Sequence, residues 1–189
     1  MKKDLGILQA VYPMPVLMIA TYDENGKVDV MNAAWGNISA PDRIALFIGE
    51  AHKTTKNIRA VKAFTVSLAD TAHIDEADFF GIASGNTMED KFERTGLTAR
   101  KSDKVNAPVI KEFPLVMECE LAEIVETEYL HAVVGKIVNV AAEEDVLDED
   151  GKVNPSKLNA LAFDNFKHGY YGMGDQEGLA WSNGKKLME

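Results

Sequence analysis

The chain has 189 residues, 46% of them apolar and 26% charged, an ordinary globular balance and enough length to bury a sizeable core in one domain spanning residues 1–189. A formal net charge of −10 argues against nucleic acid or an anionic membrane as a general partner, because both repel an acidic protein at long range. No apolar run approaches the roughly 20 residues that cross a bilayer, and the N-terminus carries no signal-like pattern, so the expected location is cytoplasmic.

In chain order, the apolar run Pro15–Thr21 reads as a strand, Asn25-Gly26 as a tight reversal, and Lys27–Met31 as the returning strand. A third extended segment runs through Trp35 to Ser39, Pro41-Asp42 breaks it, and Arg43–Ile48 restarts as a buried strand. Thr54 or Thr55 is placed to cap a short helix through Val61, followed by a strand at Phe64–Leu68. Ile74, Ala77, Asp78, Phe79 and Ile82 keep a helical rhythm, and Met88, Phe92 and Thr95 suggest a second short helix ended by Gly96. Segments 115–127 and 130–142 form an antiparallel pair. Within the first, alternation puts Leu115, Met117, Cys119 and Leu121 on one face and Glu118 and Glu120 on the other. Cys119 is therefore a core thiol, and as the single cysteine it has no partner for an intrachain disulfide. Pro155 opens a further short helix, and a glycine-flanked Tyr170-Tyr171 pair follows. Many strands, few helices and no βαβ alternation imply a mainly β fold: an antiparallel barrel with helical insertions.

The segment Asn32–Thr55 carries the chemistry. Asn32, Ala33, Ala34, Trp35 and Ser39 offer an aromatic wall, small residues that admit a close backbone, and polar edge groups, as a planar ring requires. His52, Lys53, Thr54 and Thr55 precede or open a helix, where charge, hydroxyls and free N–H groups suit an anion. Ser84, Gly85, Lys91 and Phe92 form a second candidate donor set. Each has a plainer reading: Trp35 as a core or interface anchor, the basic segment as a capped surface helix, Ser84-Gly85-Asn86 as a turn. The histidines, His52, His73, His131 and His168, show no metal-pair spacing, and Asp145–Asn154 fails the calcium-loop pattern because Val146 and Lys157 fall where oxygen ligands are needed.

Pro15–Thr21, the Asp23–Lys27 hairpin, Asn32–Trp35 and Lys53–Ile58, in that order and spacing, resemble the flavin reductase-like, FMN-binding split-barrel family, its flavoredoxin-type members above all. The resemblance covers about residues 10 to 140. It implies a Greek-key split β-barrel, FMN as cofactor, NADPH or NADH as transient hydride donor, and a homodimer with the flavin near the subunit seam. It also implies His131 near the flavin and nicotinamide, and no catalytic side chain beyond the cofactor. Tyr170 and Tyr171, after a glycine-flanked turn, are placed either to cover the flavin edge or dimer seam or to pack as an ordinary tail. Flavin reduction by a nicotinamide is the activity the resemblance implies. The rival readings are an electron carrier served by a redox protein partner and a barrel that has lost its flavin.

Overall fold

The computed structural model describes residues 1–188. Short strand β1 (Met14–Pro15) leads into β2 (Leu17–Tyr22), β3 (Val28–Ala33), β4 (Gly36–Ala40) and β5 (Arg43–Leu46). Helix α1 (Lys53–Val61), strand β6 (Ala63–Leu68) and helix α2 (Ile74–Ile82) follow, then β7 (Ala99–Lys101) and β8 (Pro108–Ile110). The long strands β9 (Leu115–Glu126) and β10 (His131–Ala142), the short helix α3 (Pro155–Leu158), and strands β11 (Leu161–Asp164) and β12 (Gly169–Gly172) complete the order.

Seven strands form one antiparallel sheet in the order β3-β2-β6-β9-β10-β5-β4. Its edges, β3 and β4, are consecutive in the chain and joined only by Ala34 and Trp35. Two residues reach about 10 Å at most, so the sheet must curl until its edges meet at that end. The result is a split barrel, as expected. A small sheet, β1-β11-β12, closes over this seam, and β7 pairs with β8 alone.

Strand β2 explains its uninterrupted apolar run by being covered on both sides. Leu17 and Ile19 enter the barrel with Ile44, Leu46, Phe64, Val66, Cys119 and Val133, and Ile58 of α1 plugs that core. Met18 and Ala20 point the other way, into a second core with Val30, Phe80, Phe92, Ile110 and Leu161. Each buried aliphatic or aromatic side chain contributes about 1.5–3 kcal/mol.

Two local expectations change, and two further features had no expectation. Neither Thr54 nor Thr55 caps α1; His52 holds that position, and the two hydroxyls instead donate to Asp29 Oδ2 (2.8 Å) and the Gly49 carbonyl (2.8 Å). The second short helix shrinks to one 3₁₀ turn, Glu93–Thr95, ended as expected by Gly96. The three-residue β7 and β8 are too short and polar-flanked to show a period. Glu118, on the face opposite Cys119, is buried, accepting from Ser102 Oγ (2.5 Å) and Asn139 Nδ2 (2.6 Å). Its partners lie 16 and 21 residues away, beyond any local pattern. No helix among the described residues is long and apolar enough to cross a membrane.

Cys119 is fully buried, and burial, with the nearby Glu118 charge, pushes its thiol up to about 12. The native thiol should resist a soluble disulfide reagent at pH 8 and react fully after denaturation. Because the unfolded thiol ionises first, the Cys119 contribution to stability is intact below about pH 9 and declines as pH rises toward 12. Cys119→Ala should remove that alkaline decline, measured as denaturation midpoint against pH.

Candidate functional site

A cavity of about 340 Å³ opens where β3 hands the chain to β4. Met31 to Trp35 form one wall, Phe47, Ile48 and His52 a second, Asp78, Gly81 and Ile82 of α2 a third, and Phe163 and Tyr170 of the small sheet the last. Alternation along β3 decides who faces what. Asn32, in step with Val28 and Val30, turns toward α2, where its Nδ2 donates to the Ala77 carbonyl at 2.9 Å. Asp29, out of step, turns toward α1 and receives Thr54.

The cavity is aromatic-walled with a small polar cluster. The Trp35 and Phe163 ring centroids lie 6.3 Å apart, and Phe163 stacks on His168 at 6.4 Å. Tyr170 Oη donates to Asp78 Oδ1 at 3.0 Å and accepts from Asn32 Nδ2 at 3.4 Å. Burial, reinforced by the Asp78 carboxylate and opposed by Asn32, raises the Tyr170 phenol above its ordinary value.

A second, polar cavity of about 410 Å³ lies on the other side of the α1 N-terminus; His52 faces the first cavity and Lys53 the second. The first turn of α1 contains no acidic residue, and His52 makes no side-chain capping bond. The first intrahelical bond runs from Lys56 N–H to the His52 carbonyl, so the N–H groups of Lys53, Thr54 and Thr55 precede the ladder. Lys53 Nζ rests 3.5 Å from Asp23 Oδ2. Burial works against the Asp23 charge, but the Lys27 and Asn25 N–H groups and Lys53 outweigh it and hold the carboxyl below its usual range. Lys91, 4% exposed, donates to the Phe80 carbonyl at 3.1 Å; burial lowers its ammonium pKa against the pull of Asp29. The 84–86 loop lies on α1 through Asn86, which donates to the Ala51 carbonyl and accepts from Lys56 Nζ.

The structure thus brings Asn32, Ala33, Ala34, Trp35 and His52 to one cavity, and Lys53, Gly85 and Lys91 to the other. Thr54 and Thr55 lie buried in the first turn of α1 between them. Ser39 is exposed on edge strand β4, Ser84 is exposed with its Oγ accepting from Asn86 N–H, and His131 is exposed at the start of β10; none of the three lines either cavity. Phe92 stacks on Phe80 inside the core. Sequence reasoning missed Asp78, Gly81, Phe47 and Phe163 as cavity residues. Asp78 had a signal, a carboxylate within a helical apolar rhythm, whereas Phe163 arrives only through the pairing of β11 with β1 and β12.

Comparison with known proteins adds to this geometry. The family model described as flavin reductase like domain matches residues 9–170. The solved flavoredoxin of Desulfovibrio vulgaris (Miyazaki F) is 34% identical and superposes with a TM-score of 0.92 over 97% of this chain and 100% of that one. Flavoredoxin from Methanosarcina acetivorans is 26% identical with a TM-score of 0.88, over 99% and 100%. An uncharacterized protein of Aquifex aeolicus is 26% identical over 82% of each chain.

A Cβ on Gly85 would collide with Asp29 Oδ1 and lie 3.2 Å from Lys53 Cγ. Gly85→Ala should therefore destabilise the fold by about 1–3 kcal/mol as the loop lifts off α1. Urea denaturation reads this as a lower midpoint; an unchanged midpoint would show that the loop is not packed so closely.

Proposed function

The chain belongs to the flavin reductase like domain family, and we propose that it is an FMN-binding oxidoreductase. Its flavin ring occupies the Trp35 cavity, and its phosphate lies at the N-terminus of α1. The observation that carries this reading is that one helix N-terminus, free of acidic residues, borders both an aromatic-walled cavity and a lysine-bearing one.

The donor set fits the cofactor. The N–H groups of Lys53, Thr54 and Thr55 supply the helix-end donors, and Lys53 supplies the charge after exchanging Asp23 for phosphate. The threonine hydroxyls, already donating to Asp29 and Gly49, serve to fix that turn rather than to bind. Lys91 adds positive potential at the second cavity. Trp35 and Phe163 give the ring its apolar walls, while Asn32 furnishes a polar edge group. Bound FMN, held by the Trp35 cavity and the α1 N-terminus, would supply the redox chemistry, with NADPH or NADH as hydride donor and electrons passing to a further acceptor. The family's flavoredoxins keep open a carrier role fed by a redox protein partner.

The rim of the cavity exposes Trp35, Phe47 and Ile82, at 45%, 47% and 77%. A second copy of the chain covering this rim, in a homodimer, would shield the ring from solvent. Sedimentation should give twice the monomer mass of 20.7 kDa, and a monomer would remove that part of the proposal.

Absorbance of the purified chain with added FMN, before and after anaerobic NADPH and NADH, tests the activity. Bound flavin bands that bleach with a nucleotide support the reductase. Bands that persist point to the carrier, and a chain that ignores FMN sinks the assignment. Lys53→Ala should weaken FMN by roughly tenfold, the lower end of the 1.5–3 kcal/mol for a charge-assisted hydrogen bond, because Asp23 competes for the lysine. Riboflavin affinity should not change; equal losses for both ligands would displace the phosphate from Lys53.

A further inference from the structure

Among the described residues lining the aromatic cavity, Asp78 is the one carboxylate. It sits on the fifth position of α2, one residue from the buried Ala77 whose carbonyl receives Asn32. Its orientation is not left to solvent. Tyr170, from a strand 92 residues further along the chain, donates to Asp78 Oδ1 at 3.0 Å, and Asn32 approaches the same phenol from the β3 side. Three elements distant in sequence therefore converge on one acidic group at the cavity wall. The facing charged or titratable groups of the cavity are His52 and the phenol itself, and the lysines belong to the second cavity.

We infer that Asp78 is a redox-tuning residue: pinned at the cavity by Tyr170, its carboxylate disfavours the gain of negative charge by a ring bound there. The inference rests on the FMN reading above. Reduction adds electrons to the flavin and gathers negative charge at its pyrimidine edge, and a fixed like charge within a few ångströms opposes this. The oxidised flavin is neutral at the ring and feels no such penalty. The protein accordingly binds oxidised FMN more tightly, relative to reduced FMN, than it would without Asp78. Its bound flavin becomes a stronger reductant. Tyr170 is a positioning residue, because it acts on the ring through Asp78.

The test compares dissociation constants for oxidised FMN and for dithionite-reduced FMN, with the midpoint potential of the bound flavin, across the wild-type chain and four variants. Asp78→Asn keeps the shape and can still accept from Tyr170, so the fold and the oxidised affinity should hold. The ratio of oxidised to reduced dissociation constants should rise about threefold to tenfold, on the order expected for a solvent-screened charge at a cavity wall. A tenfold rise corresponds to a potential about 30 mV higher for a two-electron couple. Tyr170→Phe should shift the ratio the same way by less, and adding it to Asp78→Asn should change nothing further. Asp75→Asn, an equal charge change on the same helix but away from the cavity, should leave the ratio alone. If Asp78→Asn binds FMN with an unchanged ratio, or Asp75→Asn shifts it as much, the inference is overturned while the FMN reading stands. A wild-type chain that binds no FMN overturns both.

Discussion

The two-residue link between β3 and β4 is the constraint on which the rest of the molecule depends. Because Ala34 and Trp35 join the two edges of a seven-stranded sheet, that sheet cannot stay open. The curl creates an inside for Leu17, Ile19, Phe64 and Cys119 and an outside on which α2 docks. It also leaves a gap at the seam, since the edges meet at one end without pairing. Trp35 stands in that gap, and the Phe47 N–H donates to its carbonyl at 2.8 Å, so the link is itself held in place. The candidate site is where closure of the barrel is incomplete.

The helices are subordinate to this frame. Helix α1 sits where it does because Ile58 plugs the barrel and Thr54 reaches Asp29 on β3. Those two contacts aim its N-terminus at the space between the aromatic and the lysine-bearing cavities. Helix α2 is fixed on the opposite side of β3 through Phe80 and the Asn32 amide. Strand β3 thus sorts its alternate side chains between two helices, and the polar members of each set, Asp29 and Asn32, do the docking.

Much of this was legible in the sequence because it is local. The hairpin at Asn25-Gly26, the break at Pro41-Asp42, the antiparallel 115–142 pair and the Gly96 stop are all set by neighbours in the chain. Asn32 to Trp35 and His52 to Lys53 were found by residue type and spacing, and the structure puts each group on a cavity. What stayed hidden was set by tertiary pairing. Thr54 looks like a helix cap until Asp29, 25 residues away, claims its hydroxyl. Nothing near Glu118 in the chain marks its burial, which comes from Ser102 and Asn139. Phe163 carries no mark of its cavity role, and Phe92, which resembled a ligand contact, is held in the core by Phe80.

The last wall of the aromatic cavity comes from β11 and β12, and therefore from residues translated long after the barrel strands. Chains grow from the N-terminus, and early segments begin to fold before late ones exist. On the ribosome, β2 to β10 can curl and bury their core while Phe163 and Tyr170 are still inside the exit tunnel. The barrel is thus assembled before the pocket, and the nascent chain passes through a stage with a filled barrel interior and an unwalled seam. Any ligand that needs all four walls meets its site only after β12 has emerged.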